Sequence, residues 1–299
     1  MTLPRITPYP MPTATELPAN RVDWRPAADR CALLIHDMQH HFLAAFDRGA
    51  EPIPELLSNI AALRDRCAQL GIPVIYSAQP GGQTLEQRGL LQDFWGDGIA
   101  AGPAGQAIVD ELAPRPGDVR LTKWRYSAFV RTELDAVLRE QGRDQLLVVG
   151  IYGHIGCLMT ACHAFMQEVE PFLVADAIAD FSQDDHRMAL AWGAQRCAVV
   201  TTTGAVLDAV AAAGAGLTRA DVAADLLGAV EDPPAVLDGA TDLMDLGLDS
   251  IMVMSLLTRW RERGADVSFE DLAEIEPTLD AWWAVVAAAQ RRRAPSVAA

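Results

Sequence analysis

Short apolar runs alternate with helical patterns over the first two thirds of the chain, and this alternation constrains the fold more than any other feature. Helical patterns such as 53–70, 132–141 and 184–193 separate the apolar runs. When strands and helices alternate in this way, right-handed crossover connections place the helices on both faces of a parallel sheet. We therefore predict a three-layer α/β/α fold with a six-stranded parallel sheet in the order 3-2-1-4-5-6. The six predicted strands are 32–36, 73–77, 119–121, 146–150, 172–174 and 198–202.

The C-terminal quarter of the chain has the composition of a separate acidic module. Residues 217–290 contain 15 acidic and 4 basic side chains, whereas the whole chain has a net charge of −16. Helical patterns over 219–228, 250–263 and 278–290, with a short turn at 268–273, predict a four-helix domain of the acyl-carrier type. We predict a first domain at 1–212, with an extended Pro-rich arm over 1–26, and a second at 213–290. Residues 291–299 form a tail.

Composition excludes several classes of protein. The longest apolar runs have the length of strands, so no membrane-spanning segment is expected, and N-terminal prolines argue against a secretory signal. We therefore expect a cytoplasmic protein. The net negative charge disfavours binding to nucleic acid or anionic lipid. Five cysteines without a CxxC pair predict reduced thiols.

Polar residues follow two of the predicted strands directly. Asp37 follows the first strand and Lys123 the third, while a glycine-containing turn with Gly156 follows the fourth. Because ligands bind at the carboxyl ends of parallel strands, we expect these residues to line one site. The turn should present backbone N–H groups to an anion. On local grounds alone, Asp37 could equally be a helix cap and Lys123 a surface residue.

A cluster of His36, Asp37, His40 and His41 raises the question of a metal site. The spacing matches no zinc motif. Strand alternation predicts that His36 points away from Asp37, and we expect His40 and His41 to face solvent or neighbouring chains. No metal is therefore predicted in this site.

Ser250 follows Asp249 at the start of an amphipathic helical pattern, directly after Leu246–Gly247–Leu248. The segment LMDLGLDSIMVMSLLTRW resembles a phosphopantetheine attachment signature, and in a small acidic four-helix module this resemblance implies that Ser250 is the attachment serine. A serine that only caps the helix would give the same local pattern.

Many segments in order resemble one family across nearly the whole chain. The sequence is similar to the bifunctional isochorismatase and aryl carrier proteins of catechol siderophore (2,3-dihydroxybenzoate) biosynthesis, within the isochorismatase-like hydrolase superfamily. The segments that carry the resemblance are RVDW, ALLIHDMQHHF, PVIYSAQP, LLQDFWGDGI, KWRYSAF, GHIGC, VADAIADFS and GLDS.

The resemblance implies hydrolysis of the vinyl ether of isochorismate to pyruvate and 2,3-dihydro-2,3-dihydroxybenzoate. Asp37 would be the general acid, acting with Lys123 and Gly156. Burial should raise the pKa of Asp37 and a nearby Lys123 should lower it. The family also suggests a non-proline cis peptide near Ile151–Tyr152. The implied substrate-binding residues are Phe42, Gln79, Arg88, Trp95, Tyr126 and Tyr152; on local grounds Arg88 could instead be a solvated helix charge.

Cysteine amidohydrolases of the same superfamily use an Asp, a Lys and a nucleophilic Cys at a helix start. Here Gly156 takes the nucleophile position and Cys157 is one residue later. One residue on a helix rotates a side chain by about 100 degrees, so we expect the Cys157 thiol to point away from the site.

For the C-terminal module the resemblance implies a covalent 4'-phosphopantetheine on Ser250. Asp249 would contact Mg²⁺ during attachment, while the lyase chemistry requires no metal. The implied partners are a phosphopantetheinyl transferase, an aryl-acid adenylating enzyme and a downstream nonribosomal peptide synthetase, and the chain should form a homo-oligomer.

Three alternatives remain open at this point. The same chemistry could act on 2-amino-2-deoxyisochorismate, although relatives of that kind lack a carrier domain. The lyase pocket could be inactive, which would leave a carrier-only scaffold. A cysteine amidohydrolase would require Cys157 to reach the site.

Overall fold

The structure is a computed structural model, which describes residues 3–214, 217–230, 233–234 and 236–293. Contacts divide the chain into two units, Met1–Ala209 and Val210–Ala299. Of the predicted tail, only 291–293 is described, as the end of a helix, and 294–299 lies outside the described residues.

One parallel sheet forms the centre of the first unit. Its order is β3-β2-β1-β4-β5-β6, and every pairing in it is parallel. The sequence-based prediction of strand order and fold class is therefore confirmed. The strands are β1 (Cys31–His36), β2 (Val74–Ala78), β3 (Val119–Thr122), β4 (Gln145–Ile151), β5 (Glu170–Ala179) and β6 (Val199–Thr201).

Helices cover both faces of this sheet. Those of the first unit are α1 (His40–Leu43), α2 (Ile53–Leu70), α3 (Leu85–Arg88), α4 (Leu91–Trp95), α5 (Pro103–Gln106), α6 (Leu134–Glu140), α7 (Leu158–Met166) and α8 (Gln183–Arg196), followed by α9 (Thr203–Gly214). Short 3₁₀ turns lie at Ala14–Glu16 and Asp110–Leu112, and a π-helical turn at Gly153–Cys157 precedes α7. No helix among the described residues is long and apolar enough to cross a membrane.

The spacing of apolar residues explains how the helices attach to the sheet. Helix α2 buries Ile53, Leu56, Ile60 and Leu63, which recur every three or four residues and so share one face. The helix ends at Gly71, whose φ of 67° forms a left-handed cap. Burying each such side chain contributes about 1.5–3 kcal/mol. Strands β1 and β4 are buried along their whole length, as expected for the centre of a covered parallel sheet.

The second unit contains the four predicted helices: α10 (Arg219–Leu227), α11 (Ser250–Glu262), α12 (Phe269–Ala273) and α13 (Leu279–Arg293). Its core contains Trp260 and Trp282, whose rings meet edge-to-face at 6.4 Å. The indole of Trp260 donates to Asp225 Oδ2 at 2.9 Å, so the buried N–H is satisfied.

Candidate active site

The carboxyl edge of the sheet opens into a cavity that brings the predicted residues together. Its empty volume, which includes open solvent at the mouth, is about 780 Å³. The lining residues that the sequence singled out are Asp37, Phe42, Gln79, Arg88, Trp95, Lys123, Tyr126, Tyr152 and Gly156. All nine predicted residues of the lyase site therefore lie around one cavity.

Asp37 lies directly after β1 and is almost completely buried, at 4% exposure. Its backbone takes a positive φ of 49°, and its N–H donates to the Ser77 carbonyl at the end of β2. Ser77 Oγ donates to Asp37 Oδ1 at 2.7 Å, and Gln79 Nε2 donates to Oδ2 at 3.3 Å. The carboxylate is thus held by the neighbouring strand.

Lys123 follows β3 and is also buried, at 2% exposure. Its Nζ lies 2.9 Å from Asp37 Oδ2 and donates to the Arg125 carbonyl at 2.7 Å. Two buried opposite charges in contact stabilise each other's ionised form. Asp37 is therefore not a helix cap and Lys123 is not a surface residue, which were the alternatives that the local sequence left open.

The pKa of Asp37 reflects two opposed effects. Burial raises the pKa, but the adjacent Lys123 ammonium and the Ser77 hydrogen bond lower it, and the net result is a pKa below the usual range. Of the two effects anticipated from the sequence, the lysine therefore dominates. Without substrate, Asp37 is a carboxylate.

Gly156 lies in the π-helical turn after β4, and no Ser, Thr or Cys is among the described residues that line the cavity. Cys157 is fully buried in the hydrophobic core between the sheet and the helices packed on this face, and burial raises the pKa of its thiol well above normal. Cys157 therefore has neither the position nor the ionisation of a nucleophile.

Three N–H groups of the glycine-containing turn, which we expected to face an anion, are bound within the protein. The N–H groups of Gly156 and Cys157 both donate to the Tyr152 carbonyl, at 2.9 and 3.2 Å. The N–H of His154 donates to Asp180 Oδ2. These three donors are therefore not available to an anion.

Two expectations for the histidine cluster are wrong. His36 lines the cavity, and its Nδ1 lies 3.8 Å from Asp37 Oδ1, because the positive φ of Asp37 breaks strand alternation. His41 also lines the cavity and is only partly exposed. No metal-binding group of three or more His, Cys, Asp or Glu occurs in the part of the chain that the structure describes.

Aromatic rings form one wall of the cavity. Tyr152 stacks on Phe181 at 4.2 Å and its hydroxyl donates to the Phe42 carbonyl at 2.7 Å. Trp95 also stacks on Phe181, and its indole N–H donates to the Tyr126 hydroxyl at 2.7 Å. The peptide bond Ile151–Tyr152 is cis, as the resemblance suggested. The wall suits a flat, partly unsaturated ring.

Arg88 ends α3 and is buried, at 2% exposure, so it is not a solvated helix charge. Its Nε donates to the Gly96 carbonyl at 2.9 Å. No ion pair of Arg88 is found within the described ranges of the chain. The guanidinium therefore offers its remaining N–H groups to an anion in the cavity.

Several lining residues were not predicted. Phe181 follows the carboxyl end of β5 in a segment that carried the resemblance, and the edge argument used for Asp37 could have found it. Leu3, Pro4, Leu91 and Ile155 also line the cavity. Leu3 and Pro4 belong to the N-terminal arm, Leu91 begins α4 and Ile155 lies in the π-helical turn.

Ser250 lies in the second unit, at the first position of α11, and is exposed. The preceding Asp249 caps the helix by accepting from Met252 N–H at 2.8 Å. The cap is therefore Asp249, and the Ser250 side chain makes no hydrogen bond within the described residues. An exposed, uncommitted hydroxyl at a helix start fits covalent attachment of a phosphate-linked group.

Comparisons with known proteins agree with both halves of this description. The isochorismatase domain family matches residues 31–205, and the phosphopantetheine attachment site family matches residues 220–286. Over the full length the chain is similar to an isochorismatase of Bacillus subtilis (strain 168), with 46% identity and 94% of each chain covered. It is 44% identical to enterobactin synthase component B of Escherichia coli (strain K12), covering 95% of this chain and 97% of the relative.

Among solved structures, the first unit resembles a cysteine hydrolase from Pseudomonas syringae pv. phaseolicola 1448A. The TM-score is 0.57 at 25% identity, with 64% of this chain and 96% of that chain covered. Since the family match covers more than half of the chain and the full-length relatives exceed 40% identity, the assignment does not depend on the structural likeness. The chain belongs to the isochorismatase family and carries a C-terminal phosphopantetheine-attachment domain, whose cofactor is a covalent 4'-phosphopantetheine.

Proposed function

We propose that the first unit hydrolyses the vinyl ether of isochorismate, releasing pyruvate and 2,3-dihydro-2,3-dihydroxybenzoate. One observation carries this proposal: the cavity holds the buried Asp37–Lys123 pair but no nucleophilic hydroxyl or thiol among its described lining residues. Vinyl-ether hydrolysis needs an acid and a water molecule but no covalent nucleophile. Both full-length relatives described above support the same activity.

In the proposed mechanism, Asp37 donates a proton to the methylene carbon of the enolpyruvyl group. The resulting oxocarbenium ion takes up water, and the proton that this water loses returns to Asp37. The hemiketal C–O bond then breaks to give pyruvate and the dihydroxy acid. A positioned general acid contributes about 10²–10⁴-fold to such a rate.

Because its pKa is lowered, Asp37 is ionised in the free protein. It can act as an acid only if substrate binding raises its pKa so that it takes up a proton. Isochorismate has two carboxylates, and one of them next to Lys123 would weaken the hold of the ammonium on Asp37. Closure of the cavity by substrate also removes water from Asp37. Both effects raise the pKa of Asp37 in the complex.

The remaining lining residues are assigned to substrate binding. Arg88, with no ion pair in the described part of the chain, would bind a substrate carboxylate, and Gln79 and Tyr126 would hold polar groups. Phe42, Trp95 and Tyr152 form the apolar wall against the ring. Gly156 contributes by having no side chain.

For the second unit, we assign the attachment of 4'-phosphopantetheine to Ser250. The group supplies a flexible thiol that carries the derived aryl acid as a thioester. Asp249 is exposed beside Ser250 and would contact Mg²⁺ while a transferase loads the serine. We place the functional domains at 1–212 and 213–290.

We assign three partners to the carrier: a phosphopantetheinyl transferase, an aryl-acid adenylating enzyme and a downstream nonribosomal peptide synthetase. We place the protein in the cytoplasm and propose that the chain forms a homo-oligomer. Ile251, Met254 and Phe269 are exposed near Ser250 and would contact these partners. The acidic surface favours basic partner surfaces.

The test is release of pyruvate from isochorismate, compared with release from 2-amino-2-deoxyisochorismate. A higher kcat/KM for isochorismate supports the proposal. The fused carrier also argues against the aminated substrate. Release from neither substrate by a folded protein would leave the carrier-only scaffold.

A further inference from the structure

The imidazole of His36 occupies the space in which a side chain at position 156 would lie. A Cβ built on Gly156 would be 2.1 Å from His36 Cε1 and 2.8 Å from each ring nitrogen. Real Cβ atoms do not approach other atoms so closely. Any residue other than glycine at this position therefore requires the ring to move.

The ring is held firmly where it is. His36 Nδ1 lies 2.9 Å from the Ile151 carbonyl oxygen, and since a carbonyl only accepts, Nδ1 carries the proton. The backbone is equally confined, because a Cβ on Gly150 of the adjoining strand β4 would be 2.2 Å from the His36 carbonyl oxygen. His36 is 1% exposed. Neither the ring nor its strand has free space.

The ring is also neutral. Burial is the largest effect on the pKa of His36 and lowers it; Asp37 and the backbone carbonyls raise it and Lys123 lowers it further, and the net pKa lies below the usual range. Its Nε2 has no hydrogen-bond partner within the described residues. A charged imidazole would weaken the Asp37–Lys123 pair, whereas a neutral one fills volume without changing the charge of the site.

We propose that His36 is the specificity-determining residue that keeps this site free of a nucleophilic side chain. By occupying the volume beside Gly156, it restricts the Asp37–Lys123 pair to reactions in which water is the nucleophile. The inference rests on the proposed function, which assigns that pair to vinyl-ether hydrolysis. A nucleophilic side chain at position 156, such as the Cys expected in the cysteine amidohydrolases considered above, would need the volume that His36 takes here.

The variant His36→Asn tests the two parts of the ring separately, because it keeps one part and removes the other. Asparagine keeps an N–H donor at the place of Nδ1 but removes Cε1, the atom nearest the missing Cβ, together with Nε2. A double-mutant cycle with Gly156→Ala then measures whether the ring and a side chain at 156 compete. Gly204→Ala is the matched control, because no atom lies within 4 Å of a Cβ there.

In the native background Gly156→Ala should lower Tm by about 5 °C, the effect expected for an overpacked core. In the His36→Asn background the same change should cost little, while Gly204→Ala should behave alike in both backgrounds. An equal loss for Gly156→Ala in both backgrounds would overturn the proposal.

A second experiment places a thiol at the vacated position. In His36→Asn/Gly156→Cys, removal of the ring frees the volume beside position 156, which lines the same cavity as Lys123, so the new thiol becomes accessible from the cavity. Iodoacetamide at neutral pH should therefore alkylate it faster than the same thiol in Gly156→Cys alone, with the partly exposed Cys162 as the internal reference. Peptide mass mapping distinguishes the two sites.

Alkylation no faster in the double variant than in Gly156→Cys alone would contradict the proposal. The proposed function is tested separately, by pyruvate release from the native protein. Absence of pyruvate release would refute that function while leaving the double-mutant cycle and the thiol measurement unaffected.

Discussion

Lys123 Nζ lies 2.9 Å from Asp37 Oδ2, and both side chains are at least 95% buried at the carboxyl edge of the sheet. Burying two charges carries a large desolvation cost, which their mutual attraction and hydrogen bonds offset only when the pairing is complete. The arrangement fixes Asp37 in its charged form until a ligand with its own negative charge enters.

Lys123→Met leaves Asp37 buried without its cation and should destabilise the first unit by about 3–5 kcal/mol at pH 8. In the native protein the lowered pKa of Asp37 contributes stability above about pH 4, and this is lost as pH falls. In the variant the Ser77 hydrogen bond remains, but burial, the largest single effect, outweighs it and raises the pKa, so the sign reverses and stability falls as pH rises. Urea unfolding at pH 5 and pH 8 measures this.

The deficit of Lys123→Met should therefore be smaller at pH 5 than at pH 8. Asp37→Asn/Lys123→Met, which removes both charges, should recover part of the stability. A deficit that does not change with pH would show that Asp37 stays charged without the lysine.

His154 Nδ1 lies 2.7 Å from the buried Asp180 Oδ1, and this hydrogen bond raises the pKa of His154 above 6.5 despite partial burial. A raised pKa gives stability that is complete below the ordinary value and is lost as pH rises through the folded value. The Tm advantage of the native protein over His154→Gln should be largest near pH 5.5 and should shrink by pH 8.5. A constant difference would contradict this assignment.

Arg88→Lys should raise KM for isochorismate with a smaller change in kcat. Lysine keeps the charge but loses the planar pair of donors, so kcat/KM should fall about tenfold or more. The matched control is Arg139→Lys on the exposed face of α6. Equal kinetics for Arg88→Lys and the control would remove Arg88 from the binding site.

Ser250→Ala should abolish loading of the carrier while leaving pyruvate release intact. Incubation with coenzyme A and a phosphopantetheinyl transferase, followed by intact-mass measurement, should show an added phosphopantetheine on the native protein only. Ser255→Ala, at an exposed serine of the same helix α11, should load normally. Loading of Ser250→Ala would place the attachment at another residue.

The sheet order, and the position of Asp37 and Lys123 at the carboxyl edge of the sheet, could be predicted from the sequence. Alternating apolar runs and helices leave few parallel topologies. Asp37 and Lys123 each follow a strand directly, and all strands of a parallel sheet have their carboxyl ends at the same edge. Their local alternatives are excluded only by three-dimensional contacts, such as the 2.9 Å distance between them.

His36 illustrates what the sequence could not predict. Strand alternation holds only while the backbone stays extended, and the positive φ of Asp37 ends it directly after β1. The contact of His36 with Gly156 joins residues 120 positions apart, and nothing local to either records it. The balance of effects on the pKa of Asp37 likewise depends on a distance, which residue types alone do not supply.

The most direct test of the central claim compares the initial rate of pyruvate formation from isochorismate by the native protein and by Asp37→Asn. Lactate dehydrogenase with NADH follows pyruvate, and the Tm and the loading of Ser250 show that each protein is folded. We expect rapid release by the native protein and a loss of about 10²–10⁴-fold in the variant. A variant that keeps the native rate would contradict the assignment of Asp37 as the acid.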